Sequence, residues 1–143
     1  MDTVERNIET VRRLEDAFNG RDYALVAGLI STGFECHNPG GNMVTVAGLA
    51  ENNESWHSAM PGKRTEVIFA FGAGDRVVAR IRDRGTNTGG LPWLGIPANG
   101  MTMDMDWLQI TRHDPEGRIV EMWALADIPR LLSQMGAVLG WRE

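Results

Sequence analysis

The hydrophobic pattern of this chain changes period once, near residue 60, and that change fixes the class of fold open to it. Before it, Val4, Ile8, Val11, Leu14 and Phe18 recur at intervals of three and four, which predicts an amphipathic helix over 3–19. Asp2 and Thr3 are candidate caps, Glu5 sits in the first turn and Gly20 closes the helix. RDYALVAGLI reads as a shorter second helix, and FECHN as a short strand halted by Pro39-Gly40-Gly41. Leu49, Trp56 and Met60 share a face of a third helix over about 47–60. After it the period drops to two. RTEVIFAF, with Thr65, Val67, Phe69 and Phe71 on one face, and DRVVARIRDRGTNTG read as strands, as do TMDMDWLQIT and RIVEMWALA around the turn RHDPEG. A Gly/Pro-rich excursion, GGLPWLGIPANG, interrupts them, and IPRLLSQMG closes as a helix stopped by Gly136. Helices first and long strands second predict an α+β domain: a cone-shaped, curved, mixed or antiparallel sheet wrapped around the N-terminal helices and enclosing a pocket.

The 143 residues fit one domain, 1–143, and 43% apolar content suffices for a real core. A net charge of -5 offers no basic field, so neither nucleic acid nor an anionic membrane is expected as a partner. Lys63 is the sole lysine, a composition bias in favour of arginine. Cys36 is the sole cysteine, which excludes an internal disulfide and a thiolate cage and fits a reducing compartment. The acidic, helical start is unlike a signal peptide and no apolar run approaches membrane-spanning length, so a cytoplasmic location is expected.

Four stretches, VRRLEDAFNGRD, the HNP after the first strand, GTNTG followed by LGIPANG, and GRIVEMWALAD leading to LLSQMG, resemble the SnoaL-like polyketide cyclases of the nuclear transport factor 2-like fold. The resemblance runs over nearly the whole chain, in order. It implies a general acid/base residue on the last strand beside a His on the preceding one. Here those places fall on Ala124 and Asp106, so the acid is missing. An Ala methyl cannot move a proton. The Arg-x-Asp of limonene-type epoxide hydrolases is matched by Arg80-Ile81-Arg82, with its second Asp again at Ala124. The base of ketosteroid isomerases falls on Asn38. If chemistry occurs, other groups carry it.

Asp104 and Asp106 share one strand face. Inside a pocket, two close carboxylates would keep one proton near neutrality and serve as acid and base. Outside, they form a solvated face opposite Met103, Met105 and Trp107, and alternation does not choose between the two. Arg80 and Arg82 could neutralise them across the sheet, or form a solvated or subunit-facing surface. His37 is either a hydrogen-bond donor to substrate or part of the Pro39-Gly40 turn. His57 is a pocket group or a half-buried side chain, His113 lies in the turn and is expected in solvent, and no pair of histidines has metal-ligand spacing. Asp127 before Ile128-Pro129 reads as an N-cap, and otherwise as a substrate contact.

Asn38, Trp56, Trp93, Met122 and Ala124 complete the candidate lining. Met43, Met60, Met101 and Trp107 add the soft, apolar surface that suits a terpenoid, steroid or polyketide-sized molecule. Trp93, in LPWLGIPANG, is a lid or a subunit contact. No cofactor is expected, since GTNTGG lacks the turn-into-helix that holds phosphate. The leading expectation is a cofactor-free enzyme that cyclises, isomerises or dehydrates a hydrophobic carbonyl or epoxide compound, using Asp106, Asp104 and His37. The alternatives are a binding or interaction domain that has lost its acid, and an epoxide hydrolase with a rearranged site. A homodimer through the exposed sheet face is expected, with Trp123 a contact.

Overall fold

The computed structural model describes residues 1–137. Helix α1 (Thr3–Asn19) opens on a reciprocal cap: the Asp2 carboxylate accepts from the Glu5 amide at 2.8 Å, and the Glu5 carboxylate accepts from the Asp2 amide at 3.3 Å. Its buried stripe carries Val11, Leu14 and Ala17, and also Glu15. Helix α2 (Tyr23–Leu29) starts at Asp22 and runs straight into strand β1 (Ile30–His37), which begins earlier than FECHN because Ile30 and Phe34 both reach the core. Helix α3 (Val46–Ala59) is capped by Thr45.

Strands β2 (Arg64–Ala73), β3 (Arg76–Thr86), β4 (Thr102–His113) and β5 (Ile119–Ala126) follow, then helix α4 (Ile128–Gln134). The sheet order is β1-β5-β4-β3-β2; β1 lies parallel to β5, and every other pair is antiparallel. The predicted α+β class with a mixed sheet is therefore the observed one. The helices cover one face. Leu14, Val26, Leu29 and Leu49 pack on Ile119 and Met122, while Met60, Leu91 and Leu131 pack on Met103 and Met105. No helix among the described residues is long and apolar enough to cross a membrane.

Two local departures from simple alternation matter. The β2–β3 register shifts between Val67 and Phe69, so a bulge at Ile68 reverses the outer half of β2. Thr65 and Val67 face inward, but Phe69 and Phe71 are 45% and 58% exposed on the outer face, not on one face with them as predicted. His113, expected in solvent, is buried because β4 extends through it and gives it the inward side. The Gly117 carbonyl, 2.9 Å away, can only accept, so Nδ1 carries the proton and Nε2 accepts from the Thr111 hydroxyl at 2.8 Å.

The excursion after β3 is held from inside. Asn87 is fully buried; its Nδ2 donates to the Pro97 carbonyl and to Asn99 Oδ1, and its Oδ1 accepts from the Gly90 amide at 2.8 Å. Asn99 in turn donates to the Met135 carbonyl beyond α4. This network fixes Trp93 against Trp56, edge to face, with ring centroids 5.2 Å apart.

Candidate active site

Between the helices and the inner sheet face lies a cavity of about 500 Å³. Exposed residues Gly40, Gly41, Asn42, Asn52 and Trp93 form its rim, and Met43, Leu49, Trp56, Met103, Met105 and Met122 its walls. The charged side chains gather at one end. There α1 supplies Glu15, β3 Asp83, β4 Trp107 and Gln109, and the start of β2 Thr65 beside Lys63.

Asp83 sits among donors. Its Oδ1 accepts from the Thr65 hydroxyl and lies 3.3 Å from Lys63 Nζ, while its Oδ2 accepts from Trp107 Nε1 at 3.0 Å. Lys63 Nζ also donates to Thr65 Oγ1 at 2.9 Å. Asn19, at the end of α1, grips the Thr65 backbone through both amide atoms, at 2.7 and 2.9 Å, and so sets the cluster against the helix layer.

Glu15 is 5% exposed. Its Oε1 accepts from Gln109 Nε2 at 2.9 Å, and its Oε2 has no hydrogen-bond partner among the described residues. Burial, seconded by the charge of Asp83, pushes the Glu15 carboxyl up to about 7; the Gln109 hydrogen bond and Lys63 pull the other way. Gln109 is the cross-strand partner of Ala124, and both line the cavity. Glu15 thus brings a carboxyl from α1 onto the residue opposite Ala124. Cys36 also lines the cavity, but burial raises its thiol to about 11, so it stays protonated and is no nucleophile.

Of the residues singled out in the sequence, Asn38, Trp56, Trp93, Met122 and Ala124 line the cavity. Asp104 and Asp106 do not. The inward side of β4 belongs to Met103, Met105, Trp107 and Gln109, so both Asp side chains project from the opposite face. There Asp104 forms a fork with Arg82 at 2.8 and 2.7 Å, and Asp106 pairs with Arg80. The Arg82 hydrogen bonds hold the Asp104 carboxyl below its ordinary range, the reverse of a proton-holding pair. Arg80 points outward with them, so it does not contact the cavity.

His37 also faces outward, since Cys36 takes the inward place on β1. Its Nε2 lies 2.9 Å from Glu121, and its ring stacks on Trp123 with centroids 5.5 Å apart. His57 is buried but lies outside the lining; burial and the nearby Lys63 charge lower its pKa. Asp127 caps α4, its Oδ1 accepting from the Arg130 amide at 3.1 Å, and does not line the cavity. Met60 is core and Met101 is exposed. Glu35, His37 and Glu121 are the described residues grouped closely enough to hold a metal, their ligand atoms lying within 4.8 Å of one another on the outer face. Arg112, 3.2 Å from Glu121 Oε1, already balances part of that charge.

The SnoaL-like polyketide cyclase model matches residues 8–135. The chain belongs to the SnoaL-like polyketide cyclase family. Its fold is similar to that of a candidate SnoaL-like polyketide cyclase from Jannaschia sp. CCS1, with TM-score 0.83, 22% identity and 97% of each chain covered. It is also similar to IdmH, a candidate polyketide cyclase from Streptomyces antibioticus, with TM-score 0.78 and 26% identity over 92% of this chain and 99% of that one. An M. tuberculosis LEH-like epoxide hydrolase shares the fold at TM-score 0.71 and 13% identity, covering 94% of this chain and 92% of that one. No curated protein matches the chain.

Against this SnoaL-like background, the residues missed in the sequence are Glu15, Lys63, Asp83 and Gln109. Two had a visible signal. Glu15 continues the Val11–Phe18 stripe at spacings of four and three, and Asp83 continues the inward set Ala79, Ile81 at spacing two. A carboxylate on an otherwise apolar face is the informative exception.

Proposed function

We propose that this SnoaL-like protein is a cofactor-free acid/base enzyme acting on a hydrophobic small carbonyl compound, with Glu15 as its proton-transfer group. The carrying observation is the Glu15 carboxyl: buried, lining the cavity, with one oxygen unpartnered and a pKa of about 7. A carboxyl so tuned is populated in both forms at neutral pH. As carboxylate it takes a proton from the carbon beside a substrate carbonyl; as acid it returns that proton to the enolate at carbon or oxygen. That sequence serves cyclisation and isomerisation alike. Gln109 orients Glu15, and Asp83, fixed by Thr65, Lys63 and Trp107, keeps its pKa up. The walls of Met and Trp suit a flat, apolar substrate.

Glu15→Gln should lower turnover by a factor on the order of 10²–10⁴, the usual contribution of a positioned acid/base, with substrate affinity nearly unchanged. Asp104→Asn and Asp106→Asn should keep full turnover. Steady-state kinetics on a panel of polyketide-like ketones decides it: loss in the two Asp variants with Glu15→Gln intact overturns the assignment. Ala124 supports a second reading, a binding domain without chemistry. On that reading Glu15→Gln binds ligand normally and no panel member turns over.

The outer sheet face supports a homodimer. Phe69, Phe71, Leu108 and Leu125, each between 44% and 58% exposed, surround the Arg80–Asp106 and Arg82–Asp104 pairs, with Trp123 on the same face. Leu125→Arg should convert a dimer to a monomer in light scattering; an unchanged mass excludes this face as the contact.

A further inference from the structure

We propose that the polar end of the cavity selects an aromatic ligand whose polar terminus donates a hydrogen bond, a phenolic hydroxyl or an ammonium, and rejects carboxylates. The inference rests on the reading of Glu15 as a cavity group and concerns binding alone.

The open, unpartnered oxygen of Glu15 carries it. Trp107 Nε1 and the Thr65 hydroxyl both serve Asp83, Lys63 Nζ serves Thr65 and Asp83, and Gln109 Nε2 serves Glu15. One acceptor is left open to the cavity. Glu15 Oε2 has no hydrogen-bond partner among the described residues and is open to the cavity, whereas Gln109 Oε1, also unpartnered, is sealed from it. A ligand that carries a donor gives this carboxylate oxygen the hydrogen bond that the described residues do not supply. A carboxylate brings only further acceptors.

Charge points the same way. Among the described lining residues, the charged side chains are Glu15, Asp83 and Lys63, with no arginine or histidine. Lys63 is already matched by Asp83 at 3.3 Å, and its side chain is 10% exposed. An entering anion would meet two carboxyls and no free cation. The groups that face Glu15 are Asp83 on β3, Lys63 before β2, Cys36 on β1, Gln109 on β4 and Asp16 on its own helix. Trp107 at the polar end, with Trp56 and Trp93 toward the rim, supplies aromatic wall for a planar body.

The test is calorimetric titration of the whole chain with four naphthalene probes: 2-naphthol, 2-(aminomethyl)naphthalene, 2-methoxynaphthalene and 2-naphthoate. The hydroxyl and ammonium probes should bind about tenfold more tightly than the methyl ether, and naphthoate more weakly than any of them. Between about pH 6 and about pH 8 the ammonium probe should gain up to about tenfold as Glu15 ionises, while naphthol stays level. Glu15→Gln should erase that pH-dependent gain. The ranking in the unaltered protein stands without any variant. Naphthoate binding as tightly as naphthol, or no binding of either donor probe, overturns the proposal. The arms also separate the two readings. Donor selectivity with full turnover in Glu15→Gln removes the catalytic role and keeps the selectivity; turnover lost in Glu15→Gln without donor selectivity does the reverse.

Discussion

Glu15→Gln should make the protein more stable at alkaline pH, by on the order of 3 kcal/mol, and change little at acidic pH. The folded protein keeps the Glu15 proton until about 7, whereas the unfolded chain releases it near 4.5. Between those values the folded state binds more protons, so stability falls as pH rises through the window and levels off above it. Below the window the group is neutral in both states. A glutamine never ionises, so the variant escapes the loss that the carboxylate imposes. Urea unfolding at about pH 4.5 and about pH 8 measures it, and parallel pH profiles for the two proteins would show that the Glu15 carboxyl is not held up by burial. The same substitution that removes turnover should therefore stabilise the fold, the pattern expected of a functional group kept at a structural cost.

Gly89→Ala should have the opposite effect on the fold, a loss on the order of 3 kcal/mol. A Cβ there would lie 2.0 Å from the Ser58 carbonyl oxygen and 3.2 Å from the Ala59 Cα. Both obstacles are backbone at the end of α3, and the amides of Thr88 and Gly89 both donate to the Ala59 carbonyl, at 3.1 and 2.9 Å. No flexible side chain is there to yield. Relief requires the segment after Thr86 to lift from α3, which also draws Trp93 away from Trp56 at the cavity rim. Gly62→Ala, where nothing lies within 4 Å, is the control and should be near neutral. Thermal unfolding together with tryptophan emission checks both. An unchanged melting temperature and spectrum for Gly89→Ala would rule out this close approach.

Much of the architecture was legible because it rests on local chemistry. The Val4–Phe18 spacing, the Asp2/Glu5 cap and the alternating runs of the second half specify helix and strand from side-chain period and hydrogen-bonding capacity alone. Of the cavity residues, Asn38 and Ala124 were legible through the family resemblance, and Trp56, Trp93 and Met122 as large, soft side chains. Glu15 was not. Alternation divides β4 into Asp104, Asp106 and Met103, Met105, Trp107 without saying which set is covered, and a one-residue change of side exchanges them. The Ile68 bulge shows the same limit on β2, where it sends Phe69 and Phe71 to the surface.

The sequence by itself determined the elements, their order and the family, since period, caps and turn residues act over a few positions. The tertiary structure alone decided the site. Docking α1 on the sheet placed Glu15 beside Gln109 and Asp83, 94 positions from the first of these partners. The helices covered one sheet face and left the other to the diagonal Arg–Asp pairs of β3 and β4. Glu15 and Asp104 are both ordinary carboxylates in the sequence. Burial raises the pKa of one and an arginine fork lowers that of the other, and both surroundings come from residues brought together only by the fold.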